Sequence, residues 1–322
     1  MRVGITGGTG FVGRHVAIRL SAAGHEAVLV ARGHDRGADA IIGHAGIRLV
    51  RAGVGEPQEL EAAFAGCSAI VHCAGINREI GPQTYDAVHV RGTAAVAAAG
   101  RRAGVDRLVM LSFLRARPDG PSAYHRSKWA AEEIVRTSDL THTVVKAGVI
   151  HGRGDHMLDH LSRAFQTFPV FALVGLQDRP VRPVAVDEVA ALLAAAALGD
   201  DRLANRTFAA LGPEELPLSQ AVRRVADVVG RRPIFVRLPV AGQMLVASIA
   251  EWTMTVPLVS RAQVRILAEG IVEPLPFADW PPSDLAPSTA FTEAAISAGL
   301  PDPGGFGRRD LRWCAPDLEV SR

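Results

Sequence analysis

The chain has 322 residues with 48% hydrophobic content, enough to bury a large core in one big α/β domain or two unequal ones. Thirty-five basic against 33 acidic residues leave a formal net charge of +2, which offers no general electrostatic case for nucleic acid; the arginine pairs at 101 and 102, 223 and 224, and 231 and 232 are scattered. Three cysteines, Cys67, Cys73 and Cys314, form neither an even framework nor a Cys-x-x-Cys pair, which argues against a disulfide scaffold and a zinc knuckle and fits a reducing cytoplasm.

Residues 1 to 6 read as a strand, followed by the glycine cluster Gly7, Gly8, Gly10 and Gly13 and an amphipathic helix through Leu20 to Gly24. Glycines let the backbone turn tightly and approach a pyrophosphate, and the first amides of the following helix point at that anion. The loop reads both as Gly7-x-x-Gly10-x-x-Gly13 and as Gly8-x-Gly10-x-x-Gly13. Its position between a strand and a helix makes Thr6, Gly7, Thr9, Gly10, Phe11, Val12 and Gly13 the candidate dinucleotide loop. No basic and apolar leader precedes it, so a signal peptide is not expected.

The second strand, Ala27 to Ala31, ends on Arg32, where NAD-selective folds carry an acidic residue for the adenosine ribose. Arg32 and Arg36 suit the 2′-phosphate of NADP, so NADP is the expected cofactor, with NAD and merely solvated arginines as the alternatives. Ile47 to Arg51 reads as a third strand, Glu56 to Phe64 as a helix and Ala69 to Cys73 as a fourth strand. A long helix from Thr84 to Ala103, a fifth strand from Arg107 to Ser112, a helix from Ala123 to Thr137 and a sixth strand from Thr141 to Ala147 complete the alternation. This pattern specifies an α/β fold, a Rossmann-type doubly wound parallel sheet, with ligands beyond the carboxyl ends of its strands.

The fourth helix signal, Ala123 to Thr137, carries Tyr124 and Lys128, which share a face at i and i+4. A nearby ammonium favours phenolate and would draw the tyrosine toward working pH as a proton donor or acceptor; two unrelated polar groups on an exposed turn are the alternative. Beyond Gly148, Val181 to Ala185 and Asp187 to Leu198 read as a strand and helix returning to the sheet. Leu218 to Val229, Val240 to Trp252 and Ser260 to Gly270 read as helices of a smaller region, before Pro274, Pro276, Pro281, Pro282 and Pro287 break the chain. The division is thus residues 1–150 with 181–199 in the dinucleotide domain, 151–180 and 200–315 in a smaller substrate-binding region, and 316–322 as a tail.

His151, Asp155, His156, Asp159 and His160 cluster in sequence, but Met157 stands where a His-Glu-x-x-His site needs glutamate, so no metal is expected. No Gly-x-Ser-x-Gly elbow is present. The window Val240 to Val259 is interrupted by Gln243, Glu251 and Pro257 and makes a poor membrane span. The stretch Phe235 to Val240 with Leu245, Val246, Ile249 and Trp252 is apolar and suits either a pocket for an apolar carbonyl substrate or the core of the small region.

The glycine loop, Val71-His-Cys-Ala-Gly75, His89-Val-Arg-Gly-Thr93, Leu111-Ser112, Tyr124-x-x-x-Lys128 and Ala147-Gly-Val-Ile-His-Gly152 together resemble the short-chain dehydrogenase/reductase superfamily in its extended, epimerase-like branch. Ser122 to Glu133, Phe168 to Gly175, Arg182 to Ala190 and Pro257 to Gly270 are similar to the dehydrogenase-like accessory subunit of respiratory complex I and its free-standing bacterial relatives. The resemblance implies Tyr124 as proton donor or acceptor, Lys128 on the nicotinamide ribose and Ser112 on the substrate oxygen. It places Gly7, Gly10 and Gly13 at the pyrophosphate, Cys73, Ala74 and Gly75 beside the adenosine, Val54 at the adenine through its amide, and Ala147, Val149 and Ile150 at the nicotinamide. His89 stands where much of the superfamily has a relay asparagine. Three readings follow: an NADPH-dependent cytoplasmic oxidoreductase on an apolar carbonyl or alcohol, an NAD-dependent sugar-nucleotide epimerase or dehydratase, and a non-catalytic nucleotide-binding subunit that associates peripherally with a membrane complex.

Overall fold

The computed structural model describes residues 1–33, 41, 43–254, 259–272 and 277–311. The first half runs β1 (Arg2–Thr6), α1 (Phe11–Ala22), β2 (Glu26–Ala31), β3 (Ile47–Arg51), α2 (Pro57–Phe64), β4 (Ala69–His72), a π-helical segment (Asp86–Arg91), α3 (Gly92–Arg102), β5 (Arg107–Phe113), α4 (Ala123–Arg136) and β6 (Thr141–Ala147). The rest runs β7 (Ile150–His151), α5 (His156–Thr167), β8 (Val170–Val174), β9 (Pro180–Val181), β10 (Val184–Ala185), α6 (Val186–Leu198), β11 (Arg206–Ala210), β12 (Leu216–Pro217), α7 (Leu218–Val229), β13 (Ile234–Leu238), α8 (Val240–Thr253), α9 (Arg261–Glu269) and α10 (Glu293–Gly299).

Seven strands form one sheet in the order β11-β6-β5-β4-β1-β2-β3, with every neighbouring pair parallel. Its inner strands are apolar on both faces, as a sheet covered twice requires. Val3 and Ile5, Ala27 and Leu29, Ala69 and Val71, and Val145 and Ala147 point to the core beneath α1 and α6. The alternate residues Val28, Val30, Ile70, Leu108, Met110 and Val144 point to the second core, with Leu60, Phe64, Val96 and Val135 of α2, α3 and α4. The period of two along each strand thus feeds two cores at once, and the Rossmann-type sheet expected from the sequence is present.

Three local expectations are corrected. Residues 181–185 do not return to the sheet: Pro183 removes a ladder donor, β9 pairs instead with β12, and Val184 donates to the Val149 carbonyl at 2.8 Å. The seventh sheet strand is β11, paired with β6 from Arg206↔Thr143 to Ala210↔Ala147, in a stretch assigned from sequence to the small region. The helix expected from Thr84 instead opens as the π-helical segment before α3.

The chain divides into two compact units, residues 1–150, 183–213 and 273–289, and residues 151–182, 214–272 and 290–322. The second contains the parallel pair β8 and β13 with α5, α7, α8, α9 and α10. Asp155 caps α5 through the Met157 and Leu158 amides at 2.8 and 3.3 Å, and Ser260 with Gln263 forms a capping box on α9. No described helix is long and apolar enough to cross a membrane.

Candidate functional site

The carboxyl edge of the sheet is shaped by glycines that let backbones touch. Gly7 has φ +66°, and a Cβ there would lie 2.8 Å from the Ala74 amide nitrogen. A Cβ on Gly13 would lie 2.3 Å from the Gly7 carbonyl oxygen. Gly10 heads α1 with no side-chain cap and no acidic residue in the first turn, so the helix end presents amides and positive potential without a competing carboxylate. These features fit a dinucleotide pyrophosphate.

The other loop residues have mixed roles. Thr9 is buried and Phe11 packs against the core, while Thr6 turns its hydroxyl into the protein to bond His72 Nδ1 at 2.6 Å. Any contact of Thr6 with a dinucleotide is therefore through its backbone. Arg32 is exposed just beyond β2, with its Cγ 3.5 Å from the Cβ position of Gly53; Arg36 lies outside the described residues. Val54 packs its side chain where a Cβ on Gly92 would stand, at 2.6 Å, leaving only its backbone for a ligand. Cys73 donates its amide to the Thr6 carbonyl at 3.0 Å, the Ala147 carbonyl accepts from Leu114 at 2.8 Å and the Val149 carbonyl accepts from Val184. Ile150 packs partly against the core under α1 and α6.

α4 presents Tyr124, Lys128 and Glu132 at successive i+4 positions, and all three are buried. Tyr124 is walled by three rings: Tyr85 and His89, from the N-cap and body of the π-helical segment, each at 5.7 Å, and Phe113 of β5 at 5.4 Å between centroids. Burial pushes its phenol well above the ordinary tyrosine range, and the neighbouring Tyr85 adds to that. The expected lowering by Lys128 is not seen: burial sets the direction of the shift. A tyrosine held protonated is suited to give a proton to a developing oxyanion.

Lys128 is pulled down from 10.5 to about 8 by burial, against the opposing pull of Cys73 and Glu132. Its Nζ has one carbonyl partner among the described residues, Leu111, at a long 3.4 Å, and sits 3.1 Å from the Cβ position of Gly75. An ammonium makes three hydrogen bonds, so this buried group has donors to spare for ribose hydroxyls. Gly75 is what allows its approach.

Ser112 of β5 turns into a buried network. Its hydroxyl donates to Glu132 at 2.6 Å, in a buried network where Lys146 Nζ bonds both Glu132 oxygens at 2.7 and 2.9 Å and the Ala116 carbonyl at 2.9 Å. In this structure the Ser112 proton is directed to Glu132, and from β5 it is Phe113 that meets the tyrosine ring. The Glu132–Lys146 pair, fully buried, clamps α4 onto β6 and was missed from sequence. Its signal was Glu132 at i+4 from Lys128 on the tyrosine face.

Two histidines join the site through a directional chain of hydrogen bonds. The Ile76 amide donates to His89 Nε2 at 3.0 Å, so Nδ1 carries the proton toward Ser127 Oγ at 2.9 Å, and Ser127 donates to the Tyr124 carbonyl at 3.0 Å. Thr93 donates to the His89 carbonyl at 2.5 Å, which makes it the acceptor from His72 Nε2 at 3.0 Å and leaves His72 Nδ1 to accept from Thr6. Burial holds His72 down at about 3 and His89 at about 2, so both are neutral. The chain ties the glycine loop to the turn beneath Tyr124.

In the second unit a cavity of about 310 Å³ is lined by Val174, Leu176, Pro239, Val240, Ala268 and Arg179, with Gly175 and Gln177. Leu245, Ile249 and Trp252, expected in a pocket or core, are instead 64%, 53% and 68% exposed. The described residues hold no metal-ligating cluster.

Residues 7–164 match a family of NAD(P)H-binding domains. The chain is 29% identical over 317 residues to ceramide reductase of Caulobacter vibrioides, covering 94% of this chain and 90% of that protein. It is 24% identical over 239 residues to NADH dehydrogenase [ubiquinone] 1 alpha subcomplex subunit 9 of Arabidopsis thaliana mitochondria, covering 73% of this chain and 60% of that subunit. Among solved structures, UDP-glucuronic acid 4-epimerase of Bacillus cereus, in complex with UDP-glucuronic acid and NAD, superposes with a TM-score of 0.69 at 12% identity over 92% of this chain and 97% of that one. At that identity the likeness shows the fold.

Proposed function

For this chain, which resembles the extended short-chain dehydrogenases/reductases and matches an NAD(P)H-binding family over residues 7–164, we propose an NADPH-dependent reductase that converts a carbonyl on a long-chain, ceramide-type lipid to an alcohol. One observation carries this reading: Tyr124 is buried among Tyr85, His89 and Phe113 with its phenol pushed up by desolvation, which is the protonation state a reductase needs in its acid. The similarity to ceramide reductase over nearly the whole chain supports the substrate class.

The dinucleotide, when bound, supplies a hydride. Gly7 and Gly13 bring backbone to its pyrophosphate, Lys128 holds its ribose with the ammonium donors left over from Leu111, and Arg32 meets the 2′-phosphate that favours NADPH over NADH. Tyr124 gives its proton to the carbonyl oxygen, and the apolar ring wall keeps water from that oxygen. The neutral His89 and Ser127 hold the α4 turn on which Tyr124 stands.

The commitment of Ser112 to Glu132 favours a second reading, nucleotide binding without turnover in a larger assembly, in line with the similarity to the NADH dehydrogenase subunit. One experiment separates the two. NADPH oxidation is followed with a keto-ceramide and with the Tyr124→Phe variant. Turnover that falls by about 10²-fold or more in the variant, with NADPH affinity kept, supports the reductase; no turnover on any long-chain ketone, with NADPH bound, supports the second reading.

A further inference from the structure

α8 is built inside out for a helix on a water-facing surface. Its exposed positions are Val240, Ala241, Leu245, Val246, Ile249 and Trp252, all apolar, whereas polar Gln243 is buried and donates to the Ala172 carbonyl at 2.8 Å. Ser248 and Thr253 turn their hydroxyls back onto the Met244 and Ile249 carbonyls at 2.8 and 2.9 Å. Glu251, the helix's one charged residue, accepts the Arg261 amide at 2.9 Å. Leu245, Ile249 and Trp252 follow the i, i+4, i+7 spacing of a single helix face. Soluble proteins scatter exposed apolar residues; a contiguous stripe of them marks an interaction surface.

We propose that this face docks on a lipid bilayer, with α8 lying in the boundary between headgroups and acyl chains. The charges beside this face favour a bilayer over a protein partner. The neighbouring α9 exposes Arg261 and Arg265 at i and i+4, which complements anionic headgroups beside an inserted apolar face. Trp252 is the residue type favoured at such a boundary. At 14 residues the helix is too short to span the membrane and long enough to lie on it. The cavity of about 310 Å³ beside it takes Val240 of α8 and Leu176, itself 66% exposed, into its lining. A lipid chain leaving the bilayer along α8 meets that cavity first; this part rests on the lipid-reductase reading above.

Full-length protein is sedimented with vesicles of phosphatidylcholine alone and with added phosphatidylglycerol, beside a Leu245→Ser/Ile249→Ser/Trp252→Ser variant and an Arg261→Glu/Arg265→Glu variant. Expected are binding by the wild-type chain, a loss of at least about tenfold in the apolar variant, and loss of the phosphatidylglycerol enhancement alone in the arginine variant. An unchanged far-ultraviolet circular dichroism spectrum and thermal transition, with NADPH affinity kept, show that both variants fold. Equal sedimentation of the apolar variant and the wild-type chain, no vesicle binding by the wild-type chain, or a wild-type dimer that the apolar variant dissociates would each overturn the proposal. Vesicle binding without reduction of any long-chain ketone leaves the docking face standing and rejects the substrate; reduction of a long-chain ketone without vesicle binding does the reverse.

Discussion

Lys128 should make the protein less stable than it would be without it. Burial lowers its ammonium from 10.5 to about 8, a shift of roughly 2.5 units and hence about 3 kcal/mol of destabilisation while the group is charged in the folded state. Replacing it with methionine, of similar length and apolar, removes that cost. The long hydrogen bond to Leu111 at 3.4 Å is lost, returning about 1 kcal/mol. The expected net gain at pH 7 is about 2 kcal/mol, read as a higher midpoint in urea with an unchanged slope. Between pH 8 and 10.5 the unfolded wild-type chain keeps a proton that the folded one has released, so wild-type stability rises with pH across that window. The advantage of Lys128→Met should accordingly shrink over the same window, vanish near about pH 10 and turn into a deficit of up to about 1 kcal/mol above it. Dinucleotide affinity should fall in the variant, the usual opposition between stability and a functional site. A variant less stable than wild type at pH 7, or one whose advantage ignores pH, would refute the reasoning.

Two further substitutions probe other parts of the structure. Gly13→Ala places a methyl 2.3 Å from the Gly7 carbonyl oxygen, a backbone collision that no side-chain movement relieves, so NADPH binding measured by fluorescence titration should fall at least about tenfold, with a lower melting temperature. Asp155 is pushed up by burial from 3.8 to about 7 while it caps α5. The folded state therefore holds a proton that the unfolded one releases, and stability falls as pH rises through 3.8 to 7. Asp155→Asn keeps an acceptor for the cap without the charge. It should match wild type near pH 4 and exceed it at pH 8 by an amount on the order of 4 kcal/mol, as measured by denaturation at the two values.

What could be read from the sequence was local. The glycine loop, the alternation through β6 and the Tyr124–Lys128 spacing each depend on residues within one strand–turn–helix or one helical turn, and each is found where expected. What escaped depends on partners brought from afar. Glu132 claims Ser112 from 20 residues along the chain, and no spacing rule announces that. The rings that desolvate Tyr124 come from the π-helical segment and β5, so the direction of its shift was set by packing, while the sequence displayed only the nearby lysine. β11 is a short run, Arg206 to Ala210, entered through Asn205 at φ +56°, and its place beside β6 is a long-range pairing. For α8 the composition was legible and its meaning was not: only the fold shows which of its apolar residues face outward.

The central claim is hydride delivery to a lipid carbonyl with Tyr124 as the acid, and isotope transfer tests it most directly. NADPH carrying deuterium at the transferable nicotinamide position is incubated with the protein and a keto-ceramide, and the product is weighed by mass spectrometry. The account expects an alcohol one deuterium heavier from the wild-type chain and none above background from Tyr124→Phe. An unlabelled alcohol, or equal labelled product from both proteins, would contradict it.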